Sequence, residues 1–389
     1  MKKTPKKVVR AGAKRARRTG ERAIMRVVNG VDYVLADRAD VVEPEPYDVV
    51  FQQDKLILRS YPAAPPEELG LGAEGDPEGH GGRGMPVLFI PPLMIQPLVY
   101  DLREGHSFIS TLRTAGLHPY IVDFGNPDPE ETDITLDTYV LEWLPTVVRE
   151  MLRHSGHSSY AYMGYCMGGL FALMTTATVS SDELPAPKAI VTVGTPIDSA
   201  KMGALSFIAR RAHGGLDAVA SRIGNVPGFM SSNFFKWMLP HRTITGKADL
   251  VLNLWDDEWV RGHESIEAWV DGFLDYPQGA FRQFLKDFLK ENQLLDGRMK
   301  FGGRAADLSS IRCPVLAFAG RNDKVVPVAA ARAVLGTLGS GEVRFREVPG
   351  GHMGVIAGRR SPVAADRLGA GPGLPARNCS PGLAQRRLL

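Results

Sequence analysis

The chain has 389 residues, 44% of them hydrophobic and 23% charged, with a net charge of +3. That length suffices for one large α/β domain carrying an insertion, or for two modest domains, and no apolar run approaches the roughly 20 residues that span a bilayer. Three widely spaced cysteines, Cys166, Cys313 and Cys379, exclude a disulfide scaffold and a Cys-rich zinc site; they favour a reducing compartment, so a cytoplasmic location is expected.

The charge is unevenly distributed. Residues 1–26 hold eleven Lys or Arg against Glu21, and residues 359–389 hold six Arg against Asp366, so the body between them carries net −12. An acidic body argues against a nucleic-acid enzyme, and no aromatic residues interleave the basic arm to stack on bases. No nucleic-acid partner is expected. Such an arm suits an anionic membrane or particle surface, or is simply a solvated tail. It lacks the apolar core and cleavage site of a secretory signal.

Residues 1–44 read as the basic arm and a lead-in. Two alternating apolar runs, 32–42 and 49–58, suggest a hairpin, and residues 61–85, dominated by Pro, Gly and Glu, suggest a loop. From there the pattern changes. Residues 87–90 form an apolar run stopped by Pro91 and Pro92, as a buried parallel strand would. Helical spacing over 103–115 precedes a buried run at 118–124. An amphipathic helix over 138–154, a strand at 159–164, a helix over 166–178 and a strand at 189–195 follow. This alternation implies right-handed crossovers and a mostly parallel sheet with helices on both faces. Residues 45–198 therefore form the first part of a core. Residues 199–300 break the alternation with helical patterns and four of the five tryptophans, which predicts an inserted helical cap. Residues 301–358 resume the core, with strands at 315–319 and 343–348 around a helix over 328–338. Residues 359–389, rich in Arg, Gly and Pro, have no periodicity and read as irregular, or as an out-of-frame translation of a GC-rich gene end.

The chemistry concentrates in Gly164-Tyr165-Cys166-Met167-Gly168-Gly169, between a strand and a helix. A nucleophile elbow needs small residues two positions either side of the nucleophile, because the turn is tight and packs closely on its neighbours. Gly164 and Gly168 hold those positions. The helix N-terminus beside Cys166 favours a thiolate. Asp323 follows the 315–319 run in a loop, and His352 lies in a Gly-rich loop after the last strand. Nucleophile, acid, histidine is the chain order of the α/β-hydrolase fold, in which His352 would take the thiol proton and Asp323 would orient the imidazole. Asp307, which precedes its strand, is the weaker acid. The oxyanion needs backbone donors: the Met167 N–H is one, and Leu93 supplies the first N–H available after Pro91 and Pro92. His154 and His157, separated by Gly156, read as a turn, and Asp256, Asp257 and Glu258 as a solvated helix edge rather than a metal or substrate patch.

The box at Gly164–Gly169 resembles that of the polyhydroxyalkanoate synthases, an α/β-hydrolase branch with Gly-x-Cys-x-Gly-Gly where most relatives have serine. The resemblance extends through residues 86–101, 123–125, 192–198 and 281–292 and the loops of Asp323 and His352, covering roughly 45–358. It implies polymerisation of 3-hydroxyacyl groups from coenzyme A thioesters on Cys166, with acyl-CoA as substrate and no resident cofactor. It further implies a small partner subunit, given the short length, and work at a polyester granule or lipid surface. Two other functions fit the same residues: a lipase, esterase or thioesterase using the triad with water as acceptor, and a non-catalytic protein of lipid or polyester inclusions. After Gly354 the family continues with an amphipathic segment that this chain lacks.

Overall fold

The computed structural model describes residues 22–30, 33, 45–62, 84–101, 107–238 and 249–357. The first 21 residues of the basic arm, most of the 61–85 loop and the 359–389 tail lie outside them. The first described element is α1 (residues 22–30), helical where a simple basic arm was expected. A hairpin of β1 (Asp48–Gln53) and β2 (Leu56–Ser60) follows. The second of the two expected runs, 49–58, thus turns back on itself, and the 32–42 run apart from Tyr33 lies outside the described residues. Asp54 and Lys55 supply the hairpin's turn, with Asp54 at φ 52°.

The remaining strands are β3 (Pro86–Ile90), β4 (His118–Asp123), β5 (Ala161–Tyr165), β6 (Ala189–Val193), the short β7 (Lys300–Phe301) and β8 (Arg304–Ala305), β9 (Val315–Gly320) and β10 (Val343–Val348). Eight of the ten described strands form one sheet in the order β1-β2-β4-β3-β5-β6-β9-β10, in which β2 is antiparallel to both β1 and β4 and the six strands from β4 to β10 in that order are mutually parallel. β7 and β8 pair separately, a hairpin that the sequence pattern did not announce.

Every residue of β3, β4 and β5 is buried. Side chains alternate between two cores. Leu88, Ile90, Tyr120 and Tyr162 face α3 (Leu144–Ser155) and α4 (Met167–Thr178). Val87, Phe89, Ile121 and Met163 face α2 (Phe108–Thr114) and the last helix. Burial on both faces is what lets these strands read as unbroken apolar runs. A π-helical segment, Thr138–Trp143, leads into α3, which ends on the left-handed Gly156 (φ 75°); His154 lies in its last helical turn and His157 just after the cap, where a turn over both was expected.

Between β6 and β7 the described chain is helical: α5 (Ala204–Ile223), α6 (Gly228–Met238), α7 (residues 249–253), α8 (Asp257–Asp271), α9 (Gln278–Gln283) and a π-helical segment, Phe284–Lys290. Asp256 caps α8 by accepting from the Trp259 N–H at 3.2 Å. A polar clasp joins the two ends of this stretch. Asn292, at φ 52°, donates to Asp198 Oδ1 (2.9 Å) and accepts from the Ser199 N–H (2.9 Å). The fold closes with α10 (Val328–Arg332), α11 (Val334–Thr337) and α12 (Gly354–Ala357). Among the described residues no helix is long and apolar enough to cross a membrane, and no cluster of three or more His, Cys, Asp or Glu is placed to hold a metal.

Candidate active site

Cys166, Leu93, Asp323 and His352 all sit beyond the C-terminal ends of parallel strands. Cys166 follows β5, Leu93 lies in the loop after β3, Asp323 follows β9 and His352 follows β10. Functional groups gather at that edge because the crossover helices leave a crevice there.

Cys166 adopts φ 52°, ψ −115°, a conformation that L-residues rarely take, and its N–H donates to the Val193 carbonyl at 2.8 Å. Close packing enforces the turn. A Cβ on Gly164 would stand 2.4 Å from the Gly168 carbonyl carbon, and one on Gly168 would stand 1.8 Å from the Ile90 oxygen. The second contact presses the chain beyond β3 against the start of α4. Leu93 is buried in that loop, and Met167 is the first residue of α4, whose N–H has no acceptor within the helix. The loop is also tied to the helical insertion: Leu274 N–H donates to the Met94 carbonyl (2.9 Å) and Trp269 Nε1 to the Gln96 carbonyl (3.3 Å). Tyr276, from the same stretch, places its hydroxyl 3.3 Å from the Met167 sulfur.

Asp323 and His352 meet in a buried hydrogen bond, 2.8 Å from His352 Nδ1 to Asp323 Oδ2. The other carboxylate oxygen accepts from the N–H groups of Val325 (2.9 Å) and Val326 (2.8 Å). The imidazole is walled by the Tyr165 ring at 5.0 Å and by Phe235 of α6 at 6.4 Å between centroids. Its carbonyl accepts from the Tyr165 hydroxyl at 3.1 Å. Asp307 is remote from this group in role: exposed, it caps a short 3-10 turn by accepting from the Ser309 N–H at 2.9 Å.

Burial opposes a charged His352. The Asp323 carboxylate, the Cys166 sulfur and hydrogen bonds to both outweigh it and raise the pKa from 6.5 to about 10. The folded protein thus binds a proton that the unfolded chain releases between those values. The stability this contributes is complete below pH 6.5 and lost as pH rises through about 10. The difference in urea midpoint between wild type and His352→Gln is accordingly expected to shrink across that window; a difference independent of pH contradicts a buried imidazolium.

Two contributors escaped the sequence reading. Gly194, at φ 57°, leaves room for His352: a Cβ there would lie 3.3 Å from Cε1 and 3.7 Å from Asp323 Oδ2. Its position just after an apolar run was a usable signal. Tyr100 had none, since it ends a short 3-10 turn, Pro97–Tyr100. Its buried hydroxyl donates to the Ile90 carbonyl (2.6 Å) and accepts from the Tyr165 N–H (3.0 Å). Ile90 and Gly164 are the last paired residues of β3 and β5, so this hydroxyl spans the gap where the strands part beside Cys166. Burial holds its pKa well above the ordinary tyrosine range, which keeps it a donor. Tyr100→Phe strands two buried backbone groups, at about 1–3 kcal/mol. As a positioning residue it is expected to lower kcat about tenfold with KM little changed. A loss of melting temperature alone, with kcat intact, would make the role purely structural.

A strained strand-to-helix turn at Cys166 on a six-strand parallel run, with Asp323 and His352 after the last two strands, is the arrangement of an α/β hydrolase. The chain matches the α/β hydrolase fold family model over residues 98–358 and belongs to that family. Within it, the chain is similar to the poly(3-hydroxyalkanoate) polymerase subunit of Allochromatium vinosum, at 29% identity, with 87% of this chain and 92% of the relative aligned. The corresponding subunit of Thiocystis violacea is 28% identical over 85% and 89% of the two chains. The resemblance read from the cysteine box thus extends along the sequence. Among solved structures, a hydrolase from Pseudomonas aeruginosa shares the fold, with a TM-score of 0.50 at 13% identity over 83% of this chain and 98% of that one.

Proposed function

We propose that the protein is an acyltransferase that polymerises 3-hydroxyacyl groups from coenzyme A thioesters into polyester, with the growing acyl chain held on Cys166. The observation that carries this reading is a cysteine in the strained turn after β5 of a chain aligned almost end to end with poly(3-hydroxyalkanoate) polymerase subunits.

In the first half-reaction the Cys166 proton resides on His352, in keeping with the raised imidazole pKa, and the thiolate attacks the thioester carbonyl. The oxyanion is held by the N–H groups of Met167 and Leu93. The carbon–sulfur bond to coenzyme A breaks, and His352 returns the proton to the departing thiolate. In the second, His352 takes the proton of a 3-hydroxyl group, whose oxygen attacks the acyl-cysteine. An ester forms and the Cys166 sulfur leaves. Asp323 fixes the imidazole with Nδ1 protonated, which directs Nε2 to the sulfur. A thiolate exchanging one thioester for another loses little free energy, so the acyl group stays poised for a hydroxyl. Water must be kept out for that to succeed, and the contacts of Phe235 with His352 and of Tyr276 with Met167 support such a role for the helical insertion.

The boundaries 45–198, 199–300 and 301–358 describe core, cap and core in this scheme. Both aligned relatives are described as subunits, which supports a partner subunit here, and a cytoplasmic polyester inclusion is the expected place of work. Incubation of pure protein with 3-hydroxybutyryl-CoA, with polymer weighed and free acid quantified, tests the proposal. Insoluble polyester is expected; free 3-hydroxybutyrate with no polymer would make the protein a thioesterase.

A further inference from the structure

Helix α1 meets the rest of the protein through its polar side. The Arg22 guanidinium lies 4.0 Å over the Trp255 ring. Arg26 donates to the Leu252 carbonyl (3.4 Å) and Asn29 to the Leu254 carbonyl (2.6 Å). The hydroxyl of Tyr33, which is also helical, donates to Glu267 of α8 (2.7 Å). Spacings of four, three and four put these residues on one side. Ile24, Val27 and Val28 share the other, and they are 65%, 67% and 45% exposed. Val251 and Leu252 of α7 are each 61% exposed as well.

That arrangement inverts the usual one, in which an amphipathic helix turns its apolar stripe to the core. The neighbouring charge indicates what covers the stripe. The 21 residues immediately before α1 carry nine Lys or Arg against one Glu, while the body between the basic ends is acidic. A second copy seated on the stripe would bring two such cationic arms together. A neutral polymer face would leave their charge unused. An apolar stripe flanked by a cationic segment matches an anionic lipid interface, where side chains enter among the headgroups and cations meet the phosphates.

We propose that α1, through Ile24, Val27 and Val28, is a docking surface for anionic phospholipid. The acidic body, repelled by the same surface, fixes which end of the molecule faces it. This inference goes beyond the polymerase reading and does not depend on it, since Cys166, Asp323 and His352 take no part.

The test is co-sedimentation of the full chain with vesicles of phosphatidylglycerol and phosphatidylcholine in equal parts, and with phosphatidylcholine alone. The mixed vesicles are expected to bind the protein about tenfold or more tightly than the neutral ones, with affinity falling as salt rises. Combined Ile24→Ser, Val27→Ser and Val28→Ser substitution is expected to weaken that binding about tenfold or more. Circular-dichroism melts should be unchanged, because all three side chains face solvent. Replacing the nine cations of residues 1–21 with Gln is expected to abolish the preference for phosphatidylglycerol. Equal binding to neutral vesicles or polyester particles, a triple variant that loses only self-association, or no vesicle binding at all would each overturn the proposal.

Discussion

Replacing Cys166 with alanine is expected to reduce coenzyme A release from a 3-hydroxyacyl-CoA by about 10⁴-fold or more while leaving the fold intact. The magnitude follows from the role: without the sulfur no covalent intermediate forms, and the oxyanion donors alone give only residual catalysis. The fold survives because alanine keeps the Cβ already accommodated at φ 52°, so no new strain enters the turn. Cys166→Ser keeps an oxygen at the same place but a far weaker nucleophile, and trace activity is expected. Stopped-time assays of free thiol measure all three proteins. A Cys166→Ala variant within tenfold of wild type would remove the nucleophile from the scheme, and a non-catalytic inclusion protein would then be the better description.

Asp323→Asn is expected to lower kcat by about 10³–10⁴-fold at nearly unchanged stability. The amide oxygen can still accept from Val325 and Val326, as Oδ1 does now. The amide nitrogen, however, faces His352 Nδ1 and can only donate to it. The imidazole must then carry its proton on Nε2, where it can no longer take one from the sulfur. Asp323→Ala adds a second defect, since it strands two buried N–H groups at about 1–3 kcal/mol each. Urea titration separates the two variants: the Asn form is expected to unfold near the wild-type midpoint, the Ala form well below it. Equal kcat for Asp323→Asn and wild type would mean that another group orients the histidine.

Much of the core was legible because parallel strands covered on both faces have nowhere to place polar residues. The runs at 87–90, 118–124, 189–195, 315–319 and 343–348 all fall on strands within two residues of their ends. The hairpin of β1 and β2 was misread because its turn lies inside one apolar run, and Gln52 and Gln53, though strand residues, look like a loop. α1 was hidden by its charge: Arg22 and Arg26 suggested a solvated arm, and nothing local reveals that they bond inward to Trp255 and Leu252. The π-helical segments add one residue per turn without altering the apolar pattern enough to be seen.

The site divides in the same way. The positions of Cys166, Asp323 and His352 in their loops follow from glycine placement and strand order, which are local properties. What links them is not local. Asp323 and His352 are 29 residues apart, and their hydrogen bond exists because β9 and β10 are parallel neighbours that release both loops at one edge. Tyr100 shows the limit: its hydroxyl bridges residues 10 and 65 positions away, and only the geometry of the parted strands gives it a task.

The central claim is that acyl groups reside on one sulfur. Intact-protein mass spectrometry after brief exposure to 3-hydroxybutyryl-CoA, followed by peptide mapping, tests it most directly. The account predicts a mass increase of one or more 3-hydroxybutyryl units on the peptide containing Cys166, and none on Cys166→Ala. Coenzyme A release with Cys166 unmodified, or a label confined to Cys313 or Cys379, would contradict it.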